Sequence, residues 1–280
     1  MPEILPRLTK VIFTGILFIA FTGCKKDAEI DPRKEANNSR VETNPPVLRP
    51  VTQAINSSVG GYYLSTPYLY DSTTKRFPLL ISLHGGMQTG NGTSNLPSIL
   101  YDGVPKVIQN GHFPPNINVN DQNFSFIVLA PQFSRYPAPS EIMSIINYAK
   151  KHYRVDPKRV YLTGLSMGGA VSWETAANYP GEIAAIVPIA GVPKDEDFSR
   201  AKSIADNKMP VWTFHNENDN VVSSIFTKNY VQKINSFSPA LAPRMTIFKA
   251  EGHDAWTSAS NPEYREGGMN IYEWLLQYSK

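Results

Sequence analysis

Seven short apolar runs spaced along the chain constrain its fold more than any other feature. They are Tyr62–Leu64, Pro78–Leu83 (PLLISL), Phe124–Leu129 (FSFIVL), Val160–Thr163 (VYLT), Ile183–Ile189 (IAAIVPI), Val211–Phe214 (VWTF) and Met245–Phe248 (MTIF). Near-continuous apolar character, rather than strict alternation, is the mark of strands covered on both faces, as in a parallel sheet. Helical patterns separate the runs. Glu141–Tyr153 places Ile142, Ile145, Ile146 and Ala149 on one face, Met167–Tyr179 follows a glycine-rich turn, and Val221–Phe237 and Gly268–Tyr278 lie further on. This alternation predicts an α/β fold: a mostly parallel central sheet flanked by helices in a single domain. Ligands of such sheets bind at the carboxyl ends of the strands, so the chemistry is expected just after each run.

Composition removes several function classes. With 41% hydrophobic and 18% charged residues among 280, the chain has ample material for a core, which excludes wholesale disorder. A single cysteine excludes a disulfide scaffold. The net charge of +3, with no long basic run beyond the N-terminal region, gives no footprint for nucleic acid.

The N-terminus reads as an address. Arg7 and Lys10 precede the apolar run Val11–Phe21, and Thr22-Gly23-Cys24 follow. A basic start, a short apolar stretch and small residues at its end make a secretory signal peptide, expected over residues 1–23. Phe21-Thr22-Gly23-Cys24 resembles the lipobox of bacterial lipoproteins, with phenylalanine at a usually leucine-like position. The resemblance implies a lipidated Cys24, a membrane contact through that lipid, and, from Lys25-Lys26-Asp27, an outer-membrane location on the cell-surface side. Residues 24–50 are rich in charge, Asn and Pro and are expected to be a flexible tether, with the catalytic domain spanning 51–280.

Four places carry chemistry. Gly164-Leu165-Ser166-Met167-Gly168-Gly169 sits between a strand and a helix, the context in which G-x-S-x-G projects a serine nucleophile above the sheet. The Met167 amide at the helix start is placed to face a developing oxyanion. A serine hydroxyl needs an adjacent base. In this architecture the base follows the nucleophile in the chain, which leaves His215 and His253 of the five histidines. His253, in Gly252-His253-Asp254-Ala255-Trp256, is the preferred base, and His215, directly at a strand end, is read as a structural contact. The acid is expected in Phe214–Val222 (FHNENDNVV), with Asp219 preferred, Glu217 the local competitor, and Asp195, Asp197 and Asp206 weaker ones. His84-Gly85-Gly86-Met87-Gln88 closes another strand. There the Gly86 amide, or that of Met87, is the candidate second oxyanion donor, and His84 is read as a buried loop organiser.

Together, Leu83–Gly86 (LHGG), Gly164–Gly169 (GLSMGG), Phe214–Val222 and Gly252–Trp256 (GHDAW) resemble the α/β-hydrolase esterases. Within them the chain is similar to the group holding feruloyl and acetylxylan esterases, polyhydroxybutyrate depolymerase-like proteins and dienelactone-hydrolase-like proteins. The resemblance covers Tyr62 to the C-terminus. It places the acid of a G-x-x-D-x-x-V pattern on Asp219, with Asn216 where glycine is usual, and implies ester hydrolysis through a Ser166–His253–Asp219 triad. Feruloyl or acetyl groups on plant polysaccharide, or related small esters, are the implied substrates, with no metal or other cofactor. Trp256 is a candidate substrate-binding wall; Tyr101, Phe113 and Tyr136 are candidate aromatic platforms. A serine peptidase of the prolyl-oligopeptidase type and a catalytically silent glycan- or partner-binding lipoprotein remain as alternatives.

Overall fold

The computed structural model describes residues 1–2, 32–193 and 198–280. The signal peptide and Cys24 lie outside the described residues, as do Asp195 and Asp197. The first half of the chain forms α1 (Pro32–Ala36), β1 (Arg49–Val51), β2 (Val59–Ser65), β3 (Phe77–Leu83), α2 (Gly103–Gln109), β4 (Ile117–Val119), β5 (Gln122–Phe124), β6 (Ile127–Phe133) and α3 (Pro139–His152). The second half forms β7 (Val155–Leu165), α4 (Met167–Asn178), β8 (Ala185–Ile189), α5 (Ser199–Asp206), β9 (Trp212–Asn218), α6 (Ser224–Ser236), β10 (Arg244–Glu251), α7 (Trp256–Ala259) and α8 (Ile271–Leu275).

Eight strands make one sheet in the order β1-β2-β6-β3-β7-β8-β9-β10. The β1–β2 and β2–β6 pairs are antiparallel, and every pair from β6 to β10 is parallel. The two-residue period of a strand sends neighbours to opposite faces, and the core divides accordingly. Leu79, Ile81 and Leu162 pack on the face covered by Ile142 and Ile145 of α3, Val171 and Trp173 of α4, Ile204 of α5 and Ile234 of α6. Leu80, Val128 and Tyr161 face Ile108 of α2, Phe113, and Ile271, Tyr272 and Leu275 of α8. Helix α4 is the innermost, with Gly168 through Ala177 all buried. That explains why its sequence lacks a clear polar face.

The α/β class, the mostly parallel sheet and the single domain stand as expected, while several element boundaries differ. The C-terminal helix is confined to Ile271–Leu275, because Gly267 and Gly268 have positive φ and Glu266 bridges Met269. Helix α6 starts at Ser224 rather than Val221, since the Val221 and Val222 amides donate to Asp219 and Ser223 caps the helix. The run Phe124–Leu129 splits between the β4–β5 hairpin and β6. Much of the proposed tether is docked. The Asn37 and Asn38 side chains donate to the Ser72 carbonyl and the Thr74 hydroxyl, buried Glu42 accepts from the Leu69 amide, and Arg49–Val51 pairs with β2. The polar residues that looked like solvated linker find partners in the loop after β2. No helix among the described residues is long and apolar enough to cross a membrane.

Candidate active site

The site lies where the parallel strands β3, β7, β9 and β10 end. Strand β7 turns into α4 at Ser166, whose φ of 53° and ψ of −115° lie far from ordinary helical or strand values. Such a conformation costs on the order of 1–3 kcal/mol in a non-glycine residue and persists only where its surroundings fix it. Here the Ser166 amide donates to the Ile189 carbonyl (2.8 Å), and its carbonyl accepts from the Ala170 amide (3.0 Å). The flanking glycines allow the backbones to close on one another. A Cβ on Gly164 would stand 2.3 Å from the Gly168 carbonyl oxygen, and one on Gly168 2.2 Å from that of Leu83. No larger residue fits at either place without moving backbone.

The loops after β9 and β10 bring two side chains to this turn. His253 Nε2 is 2.9 Å from Ser166 Oγ, and His253 Nδ1 is 2.6 Å from Asp219 Oδ2. A carboxylate oxygen can only accept, so Nδ1 carries the proton and Nε2 is the acceptor for the serine hydroxyl. Asp219 Oδ1 meanwhile accepts from the Val221 and Val222 amides at 2.8 and 3.0 Å. Burial raises the Asp219 pKa, but the His253 and backbone hydrogen bonds outweigh it and hold the carboxyl below its usual range. Its side chain is wholly buried, whereas that of His253 is 16% exposed. Asn216, in place of the usual glycine, donates from Nδ2 to the Gly252 carbonyl (3.0 Å) and so ties the acid loop to the histidine loop.

The structure thus brings Ser166, His253 and Asp219 together and leaves the competitors apart. Glu217 is exposed, and Asp206 pairs with Lys202 on α5. Phe113 is buried against Tyr272 and Phe126, so it offers no platform, while Tyr101 and Tyr136 are exposed. Trp173 packs in the core against Tyr230. Trp256 stands edge-on to the His253 ring, with centroids 5.1 Å apart. Its Nε1 donates to Asp102 Oδ1 (2.9 Å), while Asp102 Oδ2 accepts from Gln88 Nε2 (3.1 Å) and Gln88 Oε1 from the Gly85 amide (2.9 Å). Gln88 and Asp102 therefore join the loop after β3 to the loop after β10. No motif in the sequence marks this bridge, since Asp102 and Trp256 are 154 positions apart. Among the described residues, no three His, Cys, Asp or Glu side chains are grouped to hold a metal ion.

His84 organises the loop after β3. Its Nε2 accepts from the Phe133 amide (2.9 Å), so Nδ1 is protonated and donates to the Gly85 carbonyl (2.7 Å). Burial lowers its pKa to about 4 against the opposing pull of that carbonyl. The unfolded chain therefore binds this proton below about pH 6.5 while the folded one refuses it. Stability should fall as pH drops from about 6.5 to about 4 and then level off, with roughly 3 kcal/mol attributable to His84. Urea unfolding across this window should show a shallower pH slope for His84→Gln than for the parent. Identical slopes would remove His84 as the cause.

A parallel sheet with a serine on a strained strand–helix turn, served by side chains from two later loops, is the architecture of the α/β-hydrolases. The chain belongs to the phospholipase/carboxylesterase family, whose profile matches residues 72–260. It is 36% identical over 93 residues to a bifunctional acetylxylan esterase/xylanase, XynS20E, of Neocallimastix patriciarum (32% of this chain, 13% of that one). It is 31% identical over 124 residues to poly(3-hydroxyalkanoate) depolymerase C of Paucimonas lemoignei (41% and 28%). The chain thus matches well under half the length of either relative. Among solved structures, a thermostable esterase superposes with a TM-score of 0.60 at 24% identity, covering 84% of this chain and 63% of that one. A feruloyl esterase module from Clostridium thermocellum, complexed with sinapinate, superposes with a TM-score of 0.55 at 16% identity, covering 76% and 83%.

Proposed function

We propose that the protein is a serine carboxylic-ester hydrolase acting through an acyl-enzyme on Ser166, with feruloyl, acetyl or related acyl esters of polysaccharide as its substrates. The observation that carries the reading is the unbroken line Ser166 Oγ–His253–Asp219, with contacts of 2.9 and 2.6 Å. His253 Nε2 takes the hydroxyl proton as Oγ attacks the ester carbonyl, and Asp219 stabilises the imidazolium that results. The proton then passes to the departing alcohol. Water attacks the acyl-enzyme by the same route and releases the acid. Negative charge on the tetrahedral oxygen is met by the Met167 amide, which as the first of α4 has no partner within its helix. The Gly85 amide is committed to Gln88, so the next along the loop, Gly86, is the second donor in this reading.

A cavity of about 170 Å³ reaches the triad only through Trp256, whose ring meets that of His253; Lys106, Asn110, His112 and Asn261 are among its polar lining. An aromatic side chain among polar ones suits a sugar better than a long alkyl chain, which agrees with the acetylxylan esterase relative. Initial rates on p-nitrophenyl acetate, methyl ferulate, acetylated xylan, a hydroxyalkanoate oligoester and an N-blocked peptide test the assignment. Ester cleavage led by ferulate or acetylated xylan is expected. A lead for the oligoester would move the substrate class to polyesters, and cleavage confined to the peptide would overturn the ester reading.

The N-terminal segment supports a location as well: lipid on Cys24 and attachment to the bacterial outer membrane. Metabolic labelling with a fatty acid should mark the full chain and fail on Cys24→Ala; equal labelling of both would exclude this cysteine as the anchor.

A further inference from the structure

We propose that His215 is a positioning residue for Asp219, held in its working tautomer by Thr227. The proposal rests on the reading of Ser166, His253 and Asp219 as the reacting triad. His215 lies within the buried part of β9 and is itself fully buried, as is Thr227 of α6. Its Nε2 faces two acceptors, Asp219 Oδ2 at 3.1 Å and the Val222 carbonyl at 2.8 Å. Neither has a proton to give, so Nε2 must carry one. Nδ1 lies 2.8 Å from Thr227 Oγ1. In a neutral ring that nitrogen is the acceptor, so the threonine hydroxyl donates to it. Burial lowers the His215 pKa against the pull of the Val222 carbonyl and Asp219, which keeps the ring neutral.

Two consequences follow for the acid. First, Asp219 receives four donors: the Val221 and Val222 amides on Oδ1, and His253 and His215 on Oδ2. Four donors from three directions leave the carboxylate one orientation. Val222 both donates to Asp219 and accepts from His215, so the imidazole clamps the turn as well as the side chain. Second, His215 shares the oxygen that serves His253. It draws on the same negative charge, which restrains how strongly Asp219 stabilises a protonated His253. The charged or titratable groups facing His215 are Asp219 from its own loop and His253 from the loop after β10; α6 presents the neutral Thr227.

The experiment measures kcat and KM on p-nitrophenyl acetate from pH 5 to 9, with folding checked by thermal melting. The variants are His215→Leu, His215→Gln, Thr227→Val and Thr227→Ser. In His215→Leu, kcat should fall by roughly tenfold or more with KM nearly unchanged, because a misplaced acid costs transition-state stabilisation and not binding. With His253 now alone on Oδ2, the acid limb of the profile should move to higher pH by about half a unit. His215→Gln, whose amide nitrogen reaches the place of Nε2, should recover most of the rate and the limb. Thr227→Val should fall part of the way in kcat, and Thr227→Ser should recover. Should His215→Leu fail to fold, Thr227→Val decides, since it keeps the imidazole and the volume. A folded His215→Leu, or in its absence Thr227→Val, with the parent's kcat and acid limb overturns the proposal. So does an equal loss in the Leu and Gln variants with the limb unmoved, which is the outcome of a purely structural role. A parent with no turnover above its Ser166→Ala control would fail the triad reading first.

Discussion

Replacing Ser166 with alanine is expected to lower kcat on any ester the protein cleaves by about 10⁴-fold or more, with KM little changed and the fold intact. In the proposed mechanism the side chain contributes one atom to the chemistry, Oγ, and that atom forms the bond to the acyl carbon. Without it only the oxyanion donors and substrate placement remain, and these alone sustain a small residue of catalysis. The backbone should survive the change, because alanine carries the same Cβ into the same turn. The bonds that fix that turn, Ser166 N to Ile189 O and Ala170 N to Ser166 O, are both main-chain. Steady-state rates beside a thermal melt separate the two effects. Parent-like turnover in the alanine variant would place the nucleophile elsewhere.

Asp219→Asn should cost about 10³- to 10⁴-fold in kcat, and unlike the serine change it should also lower stability. The reason lies in the partners. Everything that touches the carboxylate is a donor: two amides, His215 Nε2 and His253 Nδ1. An asparagine must turn its NH₂ toward one pair or the other. If it faces His253, the imidazole flips to the tautomer that presents a proton to Ser166, and the base is lost. If it faces Val221 and Val222, a buried donor meets donors, which costs about 1–3 kcal/mol. Loss of rate with a lowered melting temperature is the expected pair of results. A stable variant with parent-like kcat would show that Asp219 does not serve His253.

Strand–helix alternation was legible because burial on both faces forces continuous apolar runs, and those runs lie within β2, β3, β6, β7, β8 and β9 or overlap them; the run from Met245 lies in β10, an edge strand that is largely uncovered. The turn at Ser166 and the loop at His253 were legible for a different reason. A strained turn needs small neighbours, and such glycines are visible in one dimension. Asp219 could be placed by its position after a strand and by the acid pattern of the resemblance, but not by its contacts, because its four donors come from three segments. The roles of Gln88, Asp102 and His215 in this region arise wholly from contacts across the fold. Likewise α2 carries Gly103 and Pro105 in its first turn, two residues that weaken a helical pattern. Asn37, Asn38 and Glu42 looked like linker because polar side chains reveal nothing of the backbone groups that will receive them.

Whether Ser166 becomes acylated with His253 as its base can be read from the mass of the protein after brief exposure to an organophosphorus fluoridate. Such a reagent traps an activated serine and leaves ordinary hydroxyls unmodified. One adduct per chain is expected, located on the peptide that carries Ser166, formed far more slowly in His253→Ala and absent in Ser166→Ala. An adduct on another residue, or equal labelling in the parent and His253→Ala, would contradict it.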